Sequence, residues 1–348
     1  VIRLPGFQVP PGSHLMRDMG FVFAVPRRRV LEAVLREADV VHVQFPFWLG
    51  MRAVTLAREL GRPVVCAFHV QPENVFYSLG LRSPRLSEML YRFFVDRFYA
   101  RADVVLCPSL FAAEALVRRG LRVPTEVISN GIPGEFRAGA AERPAAHHGR
   151  FLVLAVGRLA REKRLDVVIE GVRRSRHARE IQLVITGRGP ERERAQRAGA
   201  TLPRPAEVTF ASDEELRRLL RSADLLVHAS EVELEGMAVL EALGCGLPAL
   251  VADAPHSATR QFALAPELLF PPGDADALAR RIDFLIENPS VLREARERCG
   301  EIAARHRFEV SVRRHEALYR RLAWPGSRSA PLHRPPGGAQ TTVLTDGK

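Results

Sequence analysis

Two glutamates in one short segment, Glu233 and Glu241, are the side chains in this sequence best placed to do chemistry. Their segment, SEVELEGMAVLEALGCGLP (230–248), predicts the end of a buried strand, a turn at Gly236 and then a helix. Glu241 falls inside that helix among apolar residues, where a carboxylate needs hydroxyl or cationic partners. A ligand rich in hydroxyls, lying across a helix N-terminus that also accepts phosphate, would satisfy both glutamates. These groups together describe a nucleotide sugar.

A single lysine in the body of the chain marks a second candidate position. The sequence has 51 Lys and Arg residues, but only Lys163 and Lys348 are lysine, and Lys348 is the last residue. Lys163 lies in FLVLAVGRLAREKRLD (151–166), where a predicted strand breaks at Gly157 and Arg158 follows. A composition that uses arginine almost everywhere else indicates that a compact point charge is needed at Lys163. Since ligands bind at strand ends in parallel α/β sheets, we expect Arg158 and Lys163 to neutralise a diphosphate.

Length and composition limit the class of protein. With 348 residues, 47% of them hydrophobic, the chain can form two cores and therefore two domains. Its four cysteines are scattered, which predicts small core residues in a reducing compartment and excludes a disulfide framework or a metal site. No run approaches the ~20 apolar residues that cross a bilayer. The start of the chain does not resemble a signal peptide, so we expect a cytoplasmic protein, soluble or peripheral on the inner face of the plasma membrane.

The strong positive charge does not indicate a nucleic-acid partner. The net charge is +11 at pH 7, but the arginines are spread along predicted helices and interleaved with acids. That pattern is typical of solvated helical faces. The sequence has no RNA-binding signature, no zinc spacing and no basic arm, so we exclude nucleic acid as a partner. A basic surface is better suited to an anionic membrane.

The elements that must position these residues alternate between strand and helix. Short apolar runs fall at 40–45, 63–68, 102–109, 125–131, 151–157, 181–187, 207–210, 224–230 and 247–253. They are apolar without alternation, as expected for strands covered on both faces. The helices between them have caps at Ser109 and Asp274, and a capping box of Ser212 with Glu215. Strands alternating with helices predict an α/β fold with two Rossmann-like parallel-sheet domains.

With these motifs in order, the chain resembles the retaining glycosyltransferases of family 4, which have the GT-B fold of two facing Rossmann-like domains. The resemblance covers roughly residues 35–322 and is strongest at VGRLAREKRLD, ITGRGPE, the segment from Glu233 to Glu241, and EALGCGLPALVAD. In the first half it is carried by DVVHVQFPFWLG, CAFHVQPEN, ADVVLCPSLFAAEAL and VISNGI. The HVQPEN segment is similar to a bacterial subgroup that glycosylates lipids such as diacylglycerol.

The resemblance implies roles for individual residues. The implied catalytic set is His69, Arg158, Lys163 and Glu233. The implied donor-binding set is Gly157, Arg158, Lys163, Gly187, Glu233, Glu235, Gly236 and Glu241. Arg158 and Lys163 would hold the donor diphosphate, Glu241 the ribose and Glu233 the transferred sugar. Asn130 and Gly131 match the family's turn before the interdomain linker and are interpreted as backbone geometry.

The implied reaction is retaining transfer of a hexose from a nucleotide-diphosphate sugar to a lipid or glycan acceptor. No metal or other cofactor is expected. We predict an acceptor-side domain at 1–135, a linker at 136–148 and a nucleotide-sugar domain at 149–310. A helix at 311–323 is expected to return to the first domain, and a disordered tail occupies 324–348. The opening strand and loop of the family are expected to be missing before Val1, which would leave the first domain truncated and the chain poorly active.

Each candidate also has an ordinary structural interpretation. Glu231 and Glu235 could simply complement a helix dipole. Lys163 could be a solvated helical lysine, and His69 a histidine at a strand end. The segment PRLSEMLYRFFVDRFYARAD (84–103) has an apolar helical face formed by Leu86, Leu90, Phe93, Phe94 and Phe98, with Arg92, Arg97 and Arg101 nearby. That helix either touches a membrane or packs in the core of the first domain.

Other functions remain open at this point. A nucleotide-sugar-binding protein without transferase activity would use the same residues, as would a nucleotide-sugar epimerase or hydrolase. A nicotinamide-dependent oxidoreductase is disfavoured, because GRGPER (187–192) has Arg192 where the dinucleotide fingerprint needs its third glycine. The sequence does not identify the sugar, the nucleotide or the acceptor.

Overall fold

The computed structural model describes residues 4–7, 23–78 and 80–324. The predicted disordered tail, apart from Trp324, and most of the opening segment lie outside the described residues. The chain divides into two compact units. The first comprises Val1–Ser129 and Ser311–Lys348, and the second comprises Asn130–Val310.

Strands and helices alternate through both units. The strands are β1 (Gly6–Phe7), β2 (Phe23–Ala24), β3 (Val41–Val43), β4 (Val64–Ala67), β5 (Val104–Cys107), β6 (Thr125–Val127), β7 (Phe151–Val156), β8 (Ile181–Thr186), β9 (Glu207–Thr209), β10 (Leu225–His228), β11 (Val232–Glu233), β12 (Ala249–Ala252), β13 (His256–Ser257) and β14 (Leu269–Phe270). The helices are α1 (Arg28–Glu37), α2 (Trp48–Glu59), α3 (Pro72–Ser78), α4 (Pro84–Arg97), α5 (Leu110–Val117), α6 (Leu165–Arg174), α7 (Arg192–Gly199), α8 (Asp213–Ser222), α9 (Met237–Gly244), α10 (Ala275–Glu287), α11 (Pro289–Arg305) and α12 (Phe308–Ala323).

The first unit is built on a parallel sheet with the strand order β3-β4-β5-β6. Every residue of β4 and β5 is buried, which explains why these runs are apolar without alternation. The last helix, α12, belongs to this core, since Leu318 is fully buried in a cluster with Val65 and Leu106. Arg321 of the same helix forms an ion pair with Glu126 of β6. The first unit is therefore completed by the C-terminal end of the described chain.

The second unit is built on a larger parallel sheet with the order β14-β12-β10-β7-β8-β9. Its core is one continuous apolar cluster that includes β7, β8, β10 and β12. A separate two-stranded sheet pairs β11 with β13 in parallel, with Glu233 opposite Ser257. The prediction of an α/β fold with Rossmann-like parallel sheets is confirmed. Sequence patterns missed β1, β2, β11, β13 and β14, because two residues are too few to form a periodic pattern.

The predicted helix caps are confirmed. Ser109 Oγ accepts a hydrogen bond from Ala112 N at 3.1 Å, and Asp274 Oδ1 accepts one from Ala277 N at 2.8 Å. Ser212 and Glu215 form the reciprocal capping box at the start of α8. The four cysteines are buried and free, in agreement with their interpretation as small core residues.

The predicted apolar face of α4 is only partly correct. Phe94 is 5% exposed and Phe98 is fully buried, but Phe93 is 47% exposed. The buried residues of this helix lie around Tyr91, so the side that faces the core is rotated from the predicted apolar face. Met89, one turn before Phe93, is also exposed, at 61%. The helix therefore packs in the core on one side and presents apolar side chains to solvent on another. No helix among the described residues has the length and apolarity to span a bilayer.

Candidate functional site

The carboxyl ends of β7 and β8 lie against each other through two glycines. Gly157 N donates to Thr186 O at 3.1 Å, and Leu159 N donates to Arg188 O at 2.7 Å. A Cβ atom on Gly187 would lie 1.8 Å from the carbonyl oxygen of Gly157, so no side chain fits there. These turns leave bare backbone at the sheet edge where ligands bind in parallel α/β folds.

Arg158 precedes a short 3₁₀ turn after β7, and Lys163 is the last residue of that turn. The turn, Arg161–Lys163, contains Glu162, which is 2% exposed. Arg158 Nη2 donates to Glu162 Oε1 at 2.5 Å, while Glu162 Oε2 is buried with no hydrogen-bond partner in the described part of the chain. The carbonyl oxygen of Glu162 accepts from Glu231 N at 2.9 Å and from Ser230 Oγ at 3.3 Å. The turn that holds Arg158 is therefore tied to the loop that leads to Glu233.

Glu233 is the centre of a partly buried polar cluster. Lys163 Nζ forms an ion pair with Glu233 Oε1, and His228 Nε2 lies 2.9 Å from the same oxygen. The side chains of Lys163, Glu233 and His228 are only 19%, 15% and 4% exposed. Burial opposes ionisation of Glu233, but Lys163 and His228 outweigh it and hold the pKa of this carboxyl well below its ordinary value. Glu233 is therefore a carboxylate at neutral pH.

The predicted turn before α9 is built around Gly236. Gly236 has φ 95° and caps the helix, and a Cβ atom there would lie 2.4 Å from Thr259 Cγ2. Glu235, which is 3% exposed, accepts from Asn130 Nδ2 at 2.7 Å and from Asn130 N at 3.2 Å. Asn130, interpreted from the sequence as backbone geometry, therefore also has a structural role for its side chain, which holds Glu235. The first amides of α9 follow directly after this anchored turn.

Glu241 lies half-buried in the middle of α9. Burial raises its pKa to about 7, and the nearby Asp213 adds to the effect. In the described part of the chain its carboxyl makes no ion pair and no side-chain hydrogen bond. The sequence argument that Glu241 needs an outside partner is therefore consistent with its surroundings.

His69 lies in the first unit, just after β4, whereas the other predicted site residues lie in the second. Its ring centroid is 6.3 Å from that of Phe45. Burial lowers its pKa, and His315 of α12 adds to the effect. The second unit brings Arg158, Lys163 and Gly157 to one small pocket that His228 also lines.

Two residues of this site, His228 and Glu162, were absent from the sequence predictions, and Asn130 was interpreted there only as backbone geometry. His228, Glu162 and Asn130 each contact a predicted residue. The available signal for His228 was its position as the one imidazole in an otherwise apolar strand (DLLVHAS, 224–230). Glu162 and Asn130 gave no such signal, since both occur in polar turns. In the described residues no cluster of three or more His, Cys, Asp or Glu side chains could hold a metal ion.

Comparison with known proteins gives two family matches that together cover most of the chain. Residues 140–306 match the family described as "Glycosyl transferases group 1", and residues 1–136 match "Glycosyltransferase Family 4".

Individual relatives have low sequence identity to the chain. The chain is 32% identical to a GDP-mannose-dependent alpha-mannosyltransferase of Mycobacterium tuberculosis over 66% of its length and 60% of that protein. It is 24% identical to an alpha-monoglucosyldiacylglycerol synthase of Streptococcus pneumoniae, over 74% of the chain and 60% of that protein. The chain thus spans about 60% of the length of these relatives. Among solved structures, Anabaena Alr3699/HepE in complex with UDP and glucose superposes with a TM-score of 0.67 at 19% identity, covering 83% of this chain and 80% of that one.

Proposed function

The chain belongs to the family 4 glycosyltransferases, which have the GT-B fold, and on this premise we propose that it transfers a hexose from a nucleotide-diphosphate sugar to a lipid or glycan acceptor with retention of configuration. The observation that carries the proposal is the cluster of Lys163, Glu233 and His228 beside Arg158. It sits at strand carboxyl ends, where this fold class binds ligands.

Arg158 and Lys163 are proposed to hold the donor diphosphate. Both are cations held by acidic partners, Glu162 and Glu233, so they are oriented before a ligand arrives. As the bond to the leaving phosphate breaks, negative charge grows on its oxygens. Pre-oriented cations and the amides at the start of α9 stabilise that charge, and each contact is worth a few kcal/mol. The proposal requires no metal ion, because side chains supply the neutralising charge.

Glu233 is proposed to accept hydrogen bonds from hydroxyls of the transferred sugar. A carboxylate whose pKa lies well below the ordinary value has no proton to give, so its role is acceptor and negative charge. That charge also favours the oxocarbenium-like sugar that forms as the phosphate departs. We assign no enzyme nucleophile, and the acceptor attacks on the face that the phosphate leaves.

We also assign a role to Glu241 in the second unit and to His69 in the first. Glu241 accepts hydroxyls of the donor ribose, which would give its half-buried carboxyl the partners it needs. His69 is assigned to the reacting sugar. Its lowered pKa keeps the imidazole neutral near pH 7, so one ring nitrogen donates and the other accepts.

The acceptor is proposed to be a lipid at an anionic membrane surface on the cytoplasmic side. One similar protein is named as a synthase of a glucosyldiacylglycerol. The exposed side of α4 supports the same proposal, since Met89 and Phe93 stand among the exposed Arg85 and Arg92. Apolar side chains among arginines are the composition of a surface that lies on anionic lipid.

The test is a transfer assay with UDP-, GDP- and ADP-hexoses and diacylglycerol vesicles. We expect glycolipid formation by the parent chain at a low rate, and a further loss of roughly a hundred-fold or more in Lys163→Ala and in Glu241→Ala. The matched control is Arg197→Ala, an exposed cation of α7 whose side chain is 73% exposed. Circular dichroism checks that every variant is folded.

Three outcomes discriminate among functions. Donor binding by calorimetry without transfer or hydrolysis would identify a nucleotide-sugar-binding protein. Hydrolysis without transfer, unchanged by any acceptor, would identify a hydrolase. Normal turnover in folded Lys163→Ala would remove this residue from the mechanism.

A further inference from the structure

A groove of about 810 Å³ opens on the first unit, away from the residues assigned above. Pro63, Asp103 and Pro124 line it, and these residues immediately precede β4, β5 and β6. The groove therefore lies at the amino ends of the strands, whereas His69 follows the carboxyl end of β4. Ligands of the reaction are expected at carboxyl ends, so the proposed transfer does not use this groove.

The groove carries an excess of positive charge. Arg58, Arg62 and Arg122 line it together with one acid, Asp103. Arg58 Nη1 donates to Asp103 Oδ1 at 2.7 Å, and Asp103 Oδ2 accepts from Val64 N at 2.8 Å. Asp103 is thus fully engaged with one arginine and the backbone, and the other two guanidinium groups remain without a carboxylate in the described residues.

Arg62 and Arg122 each have hydrogen-bond donors that no described residue accepts. Arg62 Nη2 donates to the carbonyl oxygen of Arg36, but Arg62 Nε is buried with no partner in the described part of the chain. A buried donor without a partner costs free energy, and it shows that the protein does not saturate the donors of this guanidinium. Arg122 is exposed and makes neither an ion pair nor a side-chain hydrogen bond with any described residue. Its guanidinium is available to an anion.

The rest of the lining is apolar. It comprises Gly61, Pro63, Ala102, Val123, Pro124 and Leu322. Leu322 comes from α12, so the C-terminal helix forms one wall. A guanidinium presents a planar set of donors that matches phosphate oxygens, and the apolar wall accommodates an uncharged portion of the same molecule.

We propose that this groove is a second anion site that binds a phosphate-bearing ligand through Arg62 and Arg122. The phosphate could belong to the headgroup of an anionic lipid or to a free phosphate compound, and the two sources are separated by experiment. The full chain carrying Lys163→Ala is used throughout, so that the proposed donor-diphosphate contact is weakened. Calorimetry measures the binding of inorganic pyrophosphate. Flotation measures binding to vesicles of phosphatidylcholine with or without phosphatidylglycerol.

The variants are Arg122→Gln and the pair Arg62→Gln with Arg122→Gln. Arg197→Gln in the second unit removes one positive charge, as Arg122→Gln does, and is the matched control for that single variant. Because Arg122 is exposed, Arg122→Gln is expected to keep the melting temperature even if the double variant is unstable.

We expect at least one probe to bind at least about tenfold more weakly to both variants, with the control unchanged, because a charge-assisted hydrogen bond is lost. Loss confined to pyrophosphate assigns a free phosphate compound, and loss confined to phosphatidylglycerol vesicles assigns a lipid headgroup. Failure of both probes to bind overturns the proposal. So does binding that Arg122→Gln leaves unchanged for both probes.

Discussion

Glu241 is an isolated carboxyl whose ionisation falls in the physiological range. Its pKa is raised to about 7 by burial and by Asp213, and it lacks a cationic partner among the described residues. A ribose hydroxyl donates more strongly to a carboxylate than to a neutral acid. The charged form is therefore the one competent to bind the donor, and its population depends on pH.

We predict that donor affinity falls as the pH is lowered from 8 to 6. If only the carboxylate form binds, the dissociation constant rises up to about tenfold, in proportion to the lost fraction of that form. Calorimetric titration at the two pH values measures the change. In Glu241→Gln the affinity should be weak and independent of pH. An equally steep pH dependence in Glu241→Gln would assign the titration to another group.

Glu241 also makes the stability of the folded protein depend on pH. Its contribution falls as the pH rises, whereas that of an ion-paired acid falls as the pH is lowered. Because the pKa of Glu241 in the folded state lies above its ordinary value, its contribution to stability is fully present below about pH 4.5 and is lost as the pH rises through about 7. The donor-free protein should gain thermal stability from Glu241→Gln at pH 8 and little at pH 5. Saturating donor should reduce that gain, since the ligand supplies the missing partners.

At the scale of elements, the start of α9 depends on Gly236, whose conformation and close contacts leave no room for a side chain. Gly236 has φ 95°, and a Cβ atom would lie 2.4 Å from Thr259 Cγ2. Both backbone strain and steric overlap therefore oppose a side chain there. The amides proposed to face the donor phosphate follow directly, so a shift of this turn would misplace them.

We predict that Gly236→Ala lowers the free energy of unfolding by about 2–4 kcal/mol and weakens donor binding. Adding Thr259→Ser removes the overlapping methyl group but keeps the hydroxyl that bonds Ser257 Oγ at 2.9 Å. The double variant should recover part of the lost stability. Chemical denaturation of the single and double variants measures the loss of stability and its partial recovery. A free energy of unfolding in Gly236→Ala equal to that of the parent chain would show that the turn is not constrained.

The docking of α12 on the first unit includes a group of histidines. His42 of β3 lies 2.6 Å from Tyr319 Oη, and its ring stacks against that of His315 at 6.1 Å. Gln44 Nε2 lies 3.3 Å from His42 Nε2, and the charge of His69 also acts on His42. Burial, His315 and His69 together lower the pKa of His42 to about 4. A histidine held neutral in the folded state contributes stability that is present above about pH 6.5 and is lost as the pH falls through about 4.

We predict that acidification from pH 7 to pH 4.5 destabilises the protein through His42 by an amount on the order of 2 kcal/mol. His42→Gln keeps a polar partner for Tyr319 but does not titrate, so its melting temperature should change less over this range. His148, which is exposed and bonds Arg143 O, provides the matched control as His148→Gln. Equal acid sensitivity of His42→Gln and the parent chain would contradict the assignment.

At the scale of the whole molecule, a net charge of +11 favours association with an anionic surface. That attraction is electrostatic and is screened as salt is added. The exposed Met89 and Phe93 add an apolar contribution that salt does not screen. The two contributions can be separated experimentally, because both side chains are exposed and their replacement should leave folding intact.

We predict that the chain floats with vesicles containing phosphatidylglycerol at 50 mM salt and mostly dissociates at 500 mM. The pair Met89→Ser with Phe93→Ser should weaken vesicle binding several-fold at every salt concentration, with no change in melting temperature. Leu110→Ser and Phe210→Ser replace other exposed apolar residues and serve as controls. Vesicle binding that changes neither with salt concentration nor with the substitutions in α4 would exclude peripheral association by this surface.

The sequence by itself determined the parallel α/β class, the longer strands, the helix caps and the positions at which charge follows a strand. These features are local, because they depend on runs of apolar residues and on cap residues close to the backbone they bind. Gly157 with Arg158, and the run from Glu233 to Glu241, are visible in the same way.

Only the tertiary structure decided which charges meet. The pairing of Lys163 with Glu233, and of Asn130 with Glu235, joins residues far apart in the chain, and His228 meets Lys163 only through their shared partner Glu233. The exposure of Phe93, which the helical pattern placed on the same apolar face as Phe94 and Phe98, depends on how α4 is rotated against its neighbours. Ionisation depends in turn on burial and on neighbouring charges, and so Glu233 and Glu241, alike in the sequence, have pKa values shifted in opposite directions.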